Sequence, residues 1–256
     1  MLRFASLGSG SKGNATLIQS GETLVLVDCG FSIIELKHRM LRLGCEPSDI
    51  NTILVTHEHS DHIQGVAPLS RRYKIPVWMT RGTWVACRDK DFHREQYISS
   101  HAPFRIANDF YVHPFPVPHD AREPSQFSFD CGDRKLGLLT DVGCATPHLL
   151  AALGGCDALM LECNYDPDML RNGPYPPSLQ RRVNGRYGHL SNKQAQALLG
   201  ELDTSRLSCL IGMHVSEKNN DPKLVMAALL AGMGAKRDIC RISVADQKNG
   251  FEWLRF

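Results

Sequence analysis

Between Thr56 and His62 the chain reads Thr-His-Glu-His-Ser-Asp-His, so that His57, His59, Asp61 and His62 fall within six positions. Imidazoles and a carboxylate crowded this closely repel and desolvate one another unless a cation sits among them. Their nitrogen and oxygen donors suit zinc or manganese, with iron also accommodated, and no cysteine in the motif pulls it towards a thiolate site. The motif directly follows a short apolar run, Thr52–Val55, and a strand end is where a loop can converge several side chains. We read it as a metal site.

Side chains of the same types close other apolar runs. Asp28 ends Leu24–Val27, His119 follows Phe115–Pro118, Asp141 ends Leu138–Thr140 and His214 follows Gly212-Met213. Taken singly, each has an ordinary reading as a turn aspartate or a half-buried strand histidine. His189, in Tyr187–Asn192, stands just ahead of a helical pattern and, read alone, can simply open the helix with Ser191 as cap. The glycine-rich run Leu7–Asn14 carries Ser9, Ser11 and Asn14 and can cradle a phosphate or simply turn between strands. Arg171, Arg181, Arg182 and Arg186, with Tyr175 and Tyr187, cluster just before His189, a composition suited to phosphate neutralisation and base stacking. Asn219 and Asn220, after His214, can bond a substrate or cap a helix. A second basic group, Arg71, Arg72 and Lys74, is explained by the negative end of a helix without any substrate.

The elements that must position these groups follow from the hydrophobic pattern. Short apolar runs read as strands at Ala15–Gln19, Leu24–Asp28, Thr52–Thr56, Val77–Thr80, Phe104–Val117, Gln126–Cys131, Lys135–Thr140, Ala158–Glu162, Leu207–Met213 and Arg241–Val244. Helical periodicity covers Ile33–Leu43, Asp61–Tyr73, Arg81–Arg88, Pro147–Leu153, Ser191–Leu202 and Pro222–Met233. Asp166–Tyr187, broken by Pro167, Pro174, Pro176 and Pro177, reads as an irregular excursion at a rim. The mixture predicts an α/β sandwich of sheets covered by helices, and with no linker composition the 256 residues form one domain. A formal charge of +2 gives no bulk pull towards nucleic acid or membrane, though a local basic patch is compatible with it. No run approaches the ~18–20 apolar residues of a membrane span, and the first residues lack a signal-peptide pattern. Nine scattered cysteines, an odd number without a CxxC, point to reduced thiols and a cytoplasmic location, and exclude a disulfide scaffold.

The HxHxDH motif resembles the metallo-β-lactamase superfamily, and Asp28, His119, Asp141 and His214 stand in the order of that family's remaining motifs. The resemblance implies a four-layer αββα sandwich with two divalent metals at one edge. It implies that His57, His59 and His119 hold one metal, that Asp61, His62 and His214 hold the other, that Asp141 bridges them, and that Asp28 orients a ligand. It also implies hydrolysis by a metal-bridging hydroxide, with Asp61, Asp141 and His189 as the catalytic residues and His189 as general acid. Leu7–Asn14, Gly188–Asn192 and His214–Pro222 make the chain look most like the YycJ-type (WalJ-type) subgroup, whose activity is 5′-to-3′ DNA exonuclease action. DNA is then the expected partner, with Ser9, Ser11, Asn14, Arg181, Arg182, Arg186 and Asn219 as substrate contacts. A second subunit could complete the rim segment and make a homodimer. The alternative is a phosphodiesterase of small molecules, cyclic nucleotides or sugars.

Overall fold

A computed structural model describes residues 2–108 and 110–256. The chain opens with three antiparallel strands, β1 (Leu2–Gly8), β2 (Ala15–Ser20) and β3 (Thr23–Val27). Parallel strands then alternate with helices: α1 (Ile33–Arg42), β4 (Thr52–Leu54), α2 (Ser60–Ile63), α3 (Val66–Tyr73), β5 (Val77–Thr80), α4 (Arg81–Ala86) and β6 (Glu95–Ile98). The second half repeats this plan. Antiparallel β7 (Phe104–Ala107), β8 (Phe110–Pro116), β9 (Ser125–Cys131) and β10 (Arg134–Leu139) come first. They are followed by α5 (Pro147–Leu153), β11 (Ala158–Glu162), α6 (Pro167–Asn172), α7 (Pro177–Val183), α8 (Asn192–Glu201), β12 (Cys209–Met213), α9 (Pro222–Met233) and β13 (Arg241–Val244), strands β10 to β13 running parallel. A last strand, β14 (Phe251–Arg255), returns to pair with β1.

Two seven-stranded sheets result, ordered β14-β1-β2-β3-β4-β5-β6 and β13-β12-β11-β10-β9-β8-β7. Alternation along each strand explains why both sheet faces are buried. In β3, Val25 and Val27 enter the layer between the sheets with Phe110, Val112, Phe127 and Ile211, while Leu24 and Leu26 face the α1 and α3 side with Leu36, Met40 and Leu69. A third layer packs Leu159 and Leu161 of β11 against Leu149, Leu198, Leu199 and Leu229 of α5, α8 and α9. This is the expected four-layer αββα sandwich. Helix starts are fixed locally: Ser32 caps α1, Ser191 and Gln194 form a reciprocal box at α8, and Asp221 caps α9 ahead of Pro222.

Several expected elements differ in detail. Asp61–Tyr73 is two helices, broken at Gln64-Gly65, where the chain packs against the loop after β3: a Cβ on Gly65 would lie 1.9 Å from the Phe31 carbonyl oxygen. Phe104–Val117 is a hairpin, β7 and β8, rather than one strand. The proline-rich Asp166–Tyr187 is not irregular: it forms α6 and α7, each with a proline in its first turn, around a small apolar cluster of Tyr165, Leu170 and Val183. Strands β1, β6 and β14 escape the pattern reading; β6 is Glu-Gln-Tyr-Ile, with little apolar signal.

The loop Asp28–Phe31 fixes the metal-type motif to the sheet. Asn14 N–H donates to the Asp61 carbonyl (2.8 Å), Cys29 N–H to the His62 carbonyl (2.7 Å), and Gly30 N–H to the Asn14 carbonyl (3.0 Å). A Cβ on Gly30 would lie 1.9 Å from the Asp61 carbonyl oxygen. Gly30→Ala should therefore cost about 1–3 kcal/mol by overpacking, whereas Gly200→Ala, exposed in α8 with nothing near its Cβ, should gain roughly 0.5–1 kcal/mol. Urea unfolding of the two variants checks this; a wild-type midpoint for Gly30→Ala would contradict the close docking.

Candidate metal centre

Three residues just past strand ends take left-handed backbone conformations: Asp28 (φ 60°) after β3, Asp141 (φ 51°) after β10 and His214 (φ 52°) after β12. Such geometry is costly for residues other than glycine and clusters at functional sites. It turns each side chain across the sandwich edge, where the loop after β4 delivers the histidine motif. His57, His59 and His119 bring ligand atoms within 4.8 Å of one another, as do Asp61, His62 and His214, and likewise His57, His62 and Asp141. Asp141 also lies in a fourth such group, with Glu162, His189 and His214, and the first two groups have the membership expected for two metals.

The remaining nitrogen of most of these histidines is held by a fixed partner. His62 Nδ1 lies 2.8 Å from Asp28 Oδ2, and His57 Nδ1 lies 2.9 Å from Thr56 Oγ1, whose hydroxyl donates to the same Asp28 carboxylate (2.8 Å). His119 Nδ1 meets the Gly188 carbonyl at 3.1 Å. His214 Nδ1 lies 2.9 Å from Glu162 Oε1. Such partners fix the tautomer so that the opposite nitrogen presents a lone pair. His57 Nε2 and His214 Nε2 are buried with no hydrogen-bond partner among the described residues. Asp141 Oδ2 likewise makes no hydrogen bond, although it lies 3.0 Å from His62 Nε2. Orphaned lone pairs of this kind, set in groups whose ligand atoms lie within 4.8 Å of one another, fit divalent cations.

Electrostatics agree with that fit. Burial, then the neighbouring His62 charge, holds His57 well below the usual imidazole range. Burial opposes charge on His62 and His214 too, but the surrounding carboxylates, Asp141 foremost, win: His62 is held well above the ordinary range and His214 at about 10. Asp61 and Asp141 are pulled down despite burial, by His62 and His214 respectively in first place. Without cations the cluster balances its carboxylates by protonating imidazoles.

Glu162 is not singled out by the sequence. At the end of β11, with no exposed surface, it accepts Val142 N–H (2.9 Å) and Leu190 N–H (3.1 Å) on Oε2, while Oε1 lies 2.8 Å from His189 Nδ1 and 2.9 Å from His214 Nδ1. Despite its burial, these two imidazoles, His189 foremost, hold its carboxyl down at about 2. A glutamate closing the otherwise apolar Ala158–Leu161 is the available signal. Asp120 is a second residue that sequence reasoning misses; it pairs with Arg182, lies 3.9 Å from His59 Nε2 and sits 3.5 Å from His119 Nε2.

The cluster opens into a cavity of about 400 Å³ lined by His189, Ser11, Tyr175, Arg182 and Asn164 among others. Of the expected substrate contacts, Ser11 and Arg182 face this cavity. Ser9 and Asn14 instead lie beneath the cluster: Ser9 Oγ accepts His214 N–H (2.7 Å), and Asn14 Oδ1 accepts Gly10 N–H (2.9 Å) while its amide nitrogen approaches His62 Nε2 (3.1 Å). Asn219 is buried, its backbone N–H spent on Ser216 Oγ. Arg181 lines a separate cavity with Tyr165 and Arg171, and Arg186 lines neither of the two. Helix α7 explains why Arg181 and Arg182 part, since successive residues on a helix point about 100° apart.

Residues 23–214 match the family model described as the β-lactamase superfamily domain. The chain is 34% identical over 226 residues to exodeoxyribonuclease YycJ of Bacillus anthracis, covering 87% of this chain and 86% of that protein. It is 31% identical over 228 residues to exodeoxyribonuclease WalJ of Streptococcus pneumoniae, covering 87% and 84%. In fold it is similar to the metallo-β-lactamase fold protein YhfI from Bacillus subtilis, with a TM-score of 0.75 at 15% identity over the full length of both.

Because His62 and His214 carry raised values, each holds a proton at neutral pH that a cation must displace. Metal loading should release protons at pH 7, and affinity should rise with pH through the neutral range. Calorimetry of zinc or manganese binding in buffers of different ionisation heat measures this directly; a buffer-independent heat would count against the assigned ligands.

Proposed function

The chain belongs to the β-lactamase superfamily, with the YycJ and WalJ exodeoxyribonucleases among its relatives, and on that premise we propose that it is a dinuclear metal-dependent DNA exonuclease acting 5′ to 3′. The observation that carries the phosphodiesterase chemistry is the Glu162 fork, one buried carboxylate oxygen within 2.9 Å of both His214 and His189. His57, His59 and His119 would hold one metal, Asp61, His62 and His214 the other, and Asp141 both. Zinc and manganese are the metals we favour, iron being compatible with the same donors. When bound, such a pair of cations supplies Lewis acidity and a water deprotonated near neutral pH.

The chain's own groups account for the rest. With Nδ1 fixed on Glu162, His189 keeps Nε2 for the cavity. From that nitrogen His189 gives a proton to the leaving oxygen of the diester as general acid. Glu162 thereby fixes, through one side chain, both the proton donor and a ligand. Arg182, held by Asp120 at the cavity wall, is placed to neutralise a phosphate, and Tyr175 beside it offers a face for a base. Asp28 orients His62 directly and His57 through Thr56. A reducing cytoplasm belongs to the same reading, all nine cysteines being free thiols. Among the described residues no helix is long and apolar enough to cross a membrane. A homodimer completing the rim, where Tyr187 is exposed, is also part of this reading and is tested by sedimentation.

End-labelled linear DNA with the metal-loaded protein should shorten stepwise from the 5′ end. His189→Ala should keep its metals and lower turnover roughly 10²–10⁴-fold. Asp61→Ala should lose metal and activity together. Intact DNA alongside hydrolysis of bis(p-nitrophenyl) phosphate would replace this reading with the small-molecule phosphodiesterase; loss of metal in His189→Ala would make His189 a ligand instead.

A further inference from the structure

Past His59 and Ser60 the metal-edge cavity adjoins a second one of about 610 Å³, and those two residues line both. Its floor is apolar, formed by Ile63 and Ala67 of α2 and α3 and by Ala86 and Cys87 at the end of α4. Two polar features stand out. Glu58 Oε1 accepts Arg122 N–H (2.7 Å), but Oε2 is buried with no hydrogen-bond partner among the described residues. Arg88 is exposed at the wall and makes no ion pair among the described residues, while the neighbouring Asp89 is neutralised by Arg71 at 3.0 Å.

Resting on the exonuclease reading, we propose that this groove seats the unpaired terminal nucleotide, on the 5′ side of the scissile phosphate, with its base on the apolar floor and a base N–H donated to Glu58 Oε2. A phosphodiester held at the metal edge joins two nucleotides, and the Arg182–Tyr175 side accounts for one. On the other side the cavity leads past His59 and Ser60 into the groove, which those two residues also line. Its volume falls within the ~300–1,000 Å³ that encloses a ligand of nucleotide size. A carboxylate oxygen without a donor repels phosphate and accepts from a base edge, so the base lies at Glu58 and the backbone runs towards Arg88. A base seated on that floor, beneath the groove walls, is out of the helical stack and cannot stay paired to a complementary strand. The enzyme therefore works on a single strand or on a frayed duplex end, taking one nucleotide out of the stack for each hydrolysis.

The test compares single-stranded oligonucleotides whose terminal nucleotide carries a base or is abasic, with bis(p-nitrophenyl) phosphate and metal content as references. The wild type should prefer the base-bearing end by roughly tenfold in kcat/KM, the size expected when a buried polar group loses its partner. Ala86→Phe, which fills the floor, and Glu58→Gln, which keeps the Arg122 bond but replaces the orphan oxygen, should each bring that ratio towards one. They should lower DNA hydrolysis more than hydrolysis of the small diester. If Ala86→Phe fails to fold, Glu58→Gln still decides. Indifference of the wild type to the missing base, or an unchanged ratio in the variants, overturns the groove assignment and leaves the exonuclease reading standing. No hydrolysis of DNA by the wild type overturns both.

Discussion

The structure is organised around a charge problem at one edge of the sandwich. Asp28, Asp141 and Glu162 are buried there, Asp61 lies beside them, and the imidazoles of His57, His59, His62, His119, His189 and His214 fill the space between. Carboxylates removed from water are costly unless opposite charge and hydrogen bonds meet them. The contacts of the cluster answer that requirement. Asp28 spends its oxygens on Thr56 and His62, Glu162 on two backbone N–H groups and two imidazoles, and Asp141 faces histidines from three loops. What is left over is a set of nitrogen and oxygen lone pairs pointing at one another. That surplus suits the edge to a divalent cation, and the rest of the fold holds the cluster in place.

The two halves of the chain supply the site by the same device. Each sheet turns from antiparallel to parallel pairing at its central strand, β3 in one and β10 in the other, and Asp28 and Asp141 lie just beyond those strands with left-handed backbones. On the next parallel strand, β4 leads to His57 and β11 ends in Glu162. One half thus carries mainly ligands while the other supplies Glu162 to orient His189 and His214. No internal repeat is visible in the amino-acid sequence, because side chains facing helices of different packing need not match even where strand order does.

The cluster of histidines and carboxylates is legible in the sequence because such residue types stand out there, and because strands buried on both faces leave a sharp apolar signal that ends near them. The same runs give a layered sandwich of sheets and helices, and the family resemblance supplies its four-layer order. Ser9 and Asn14 depart from expectation for a physical reason: hydroxyl and amide groups in a glycine-rich loop serve a buried backbone as well as a phosphate, and only packing shows which. Glu162 is hidden because a lone glutamate after an apolar strand resembles a solvent-facing strand end. The edge strands β6 and β14 carry charged residues on outer positions, which dilutes the pattern that marks a strand. Proline content at Asp166–Tyr187 argues against helix, yet prolines in a first turn leave hydrogen bonding intact.

Strand β1 lies inside its sheet, flanked by β2 on one side and β14 on the other, with Arg3 opposite Arg255. During synthesis β1 therefore emerges well before β14 and stays open along one edge until β14 has been made. Pairing over so long a separation carries a large loop-closure entropy and slows the final step of folding. In the interval the nascent chain presents Leu2, Phe4 and an unpaired row of backbone groups, a surface prone to misassociation. Synthesis of β14, more than formation of either half, becomes the event that closes this sheet.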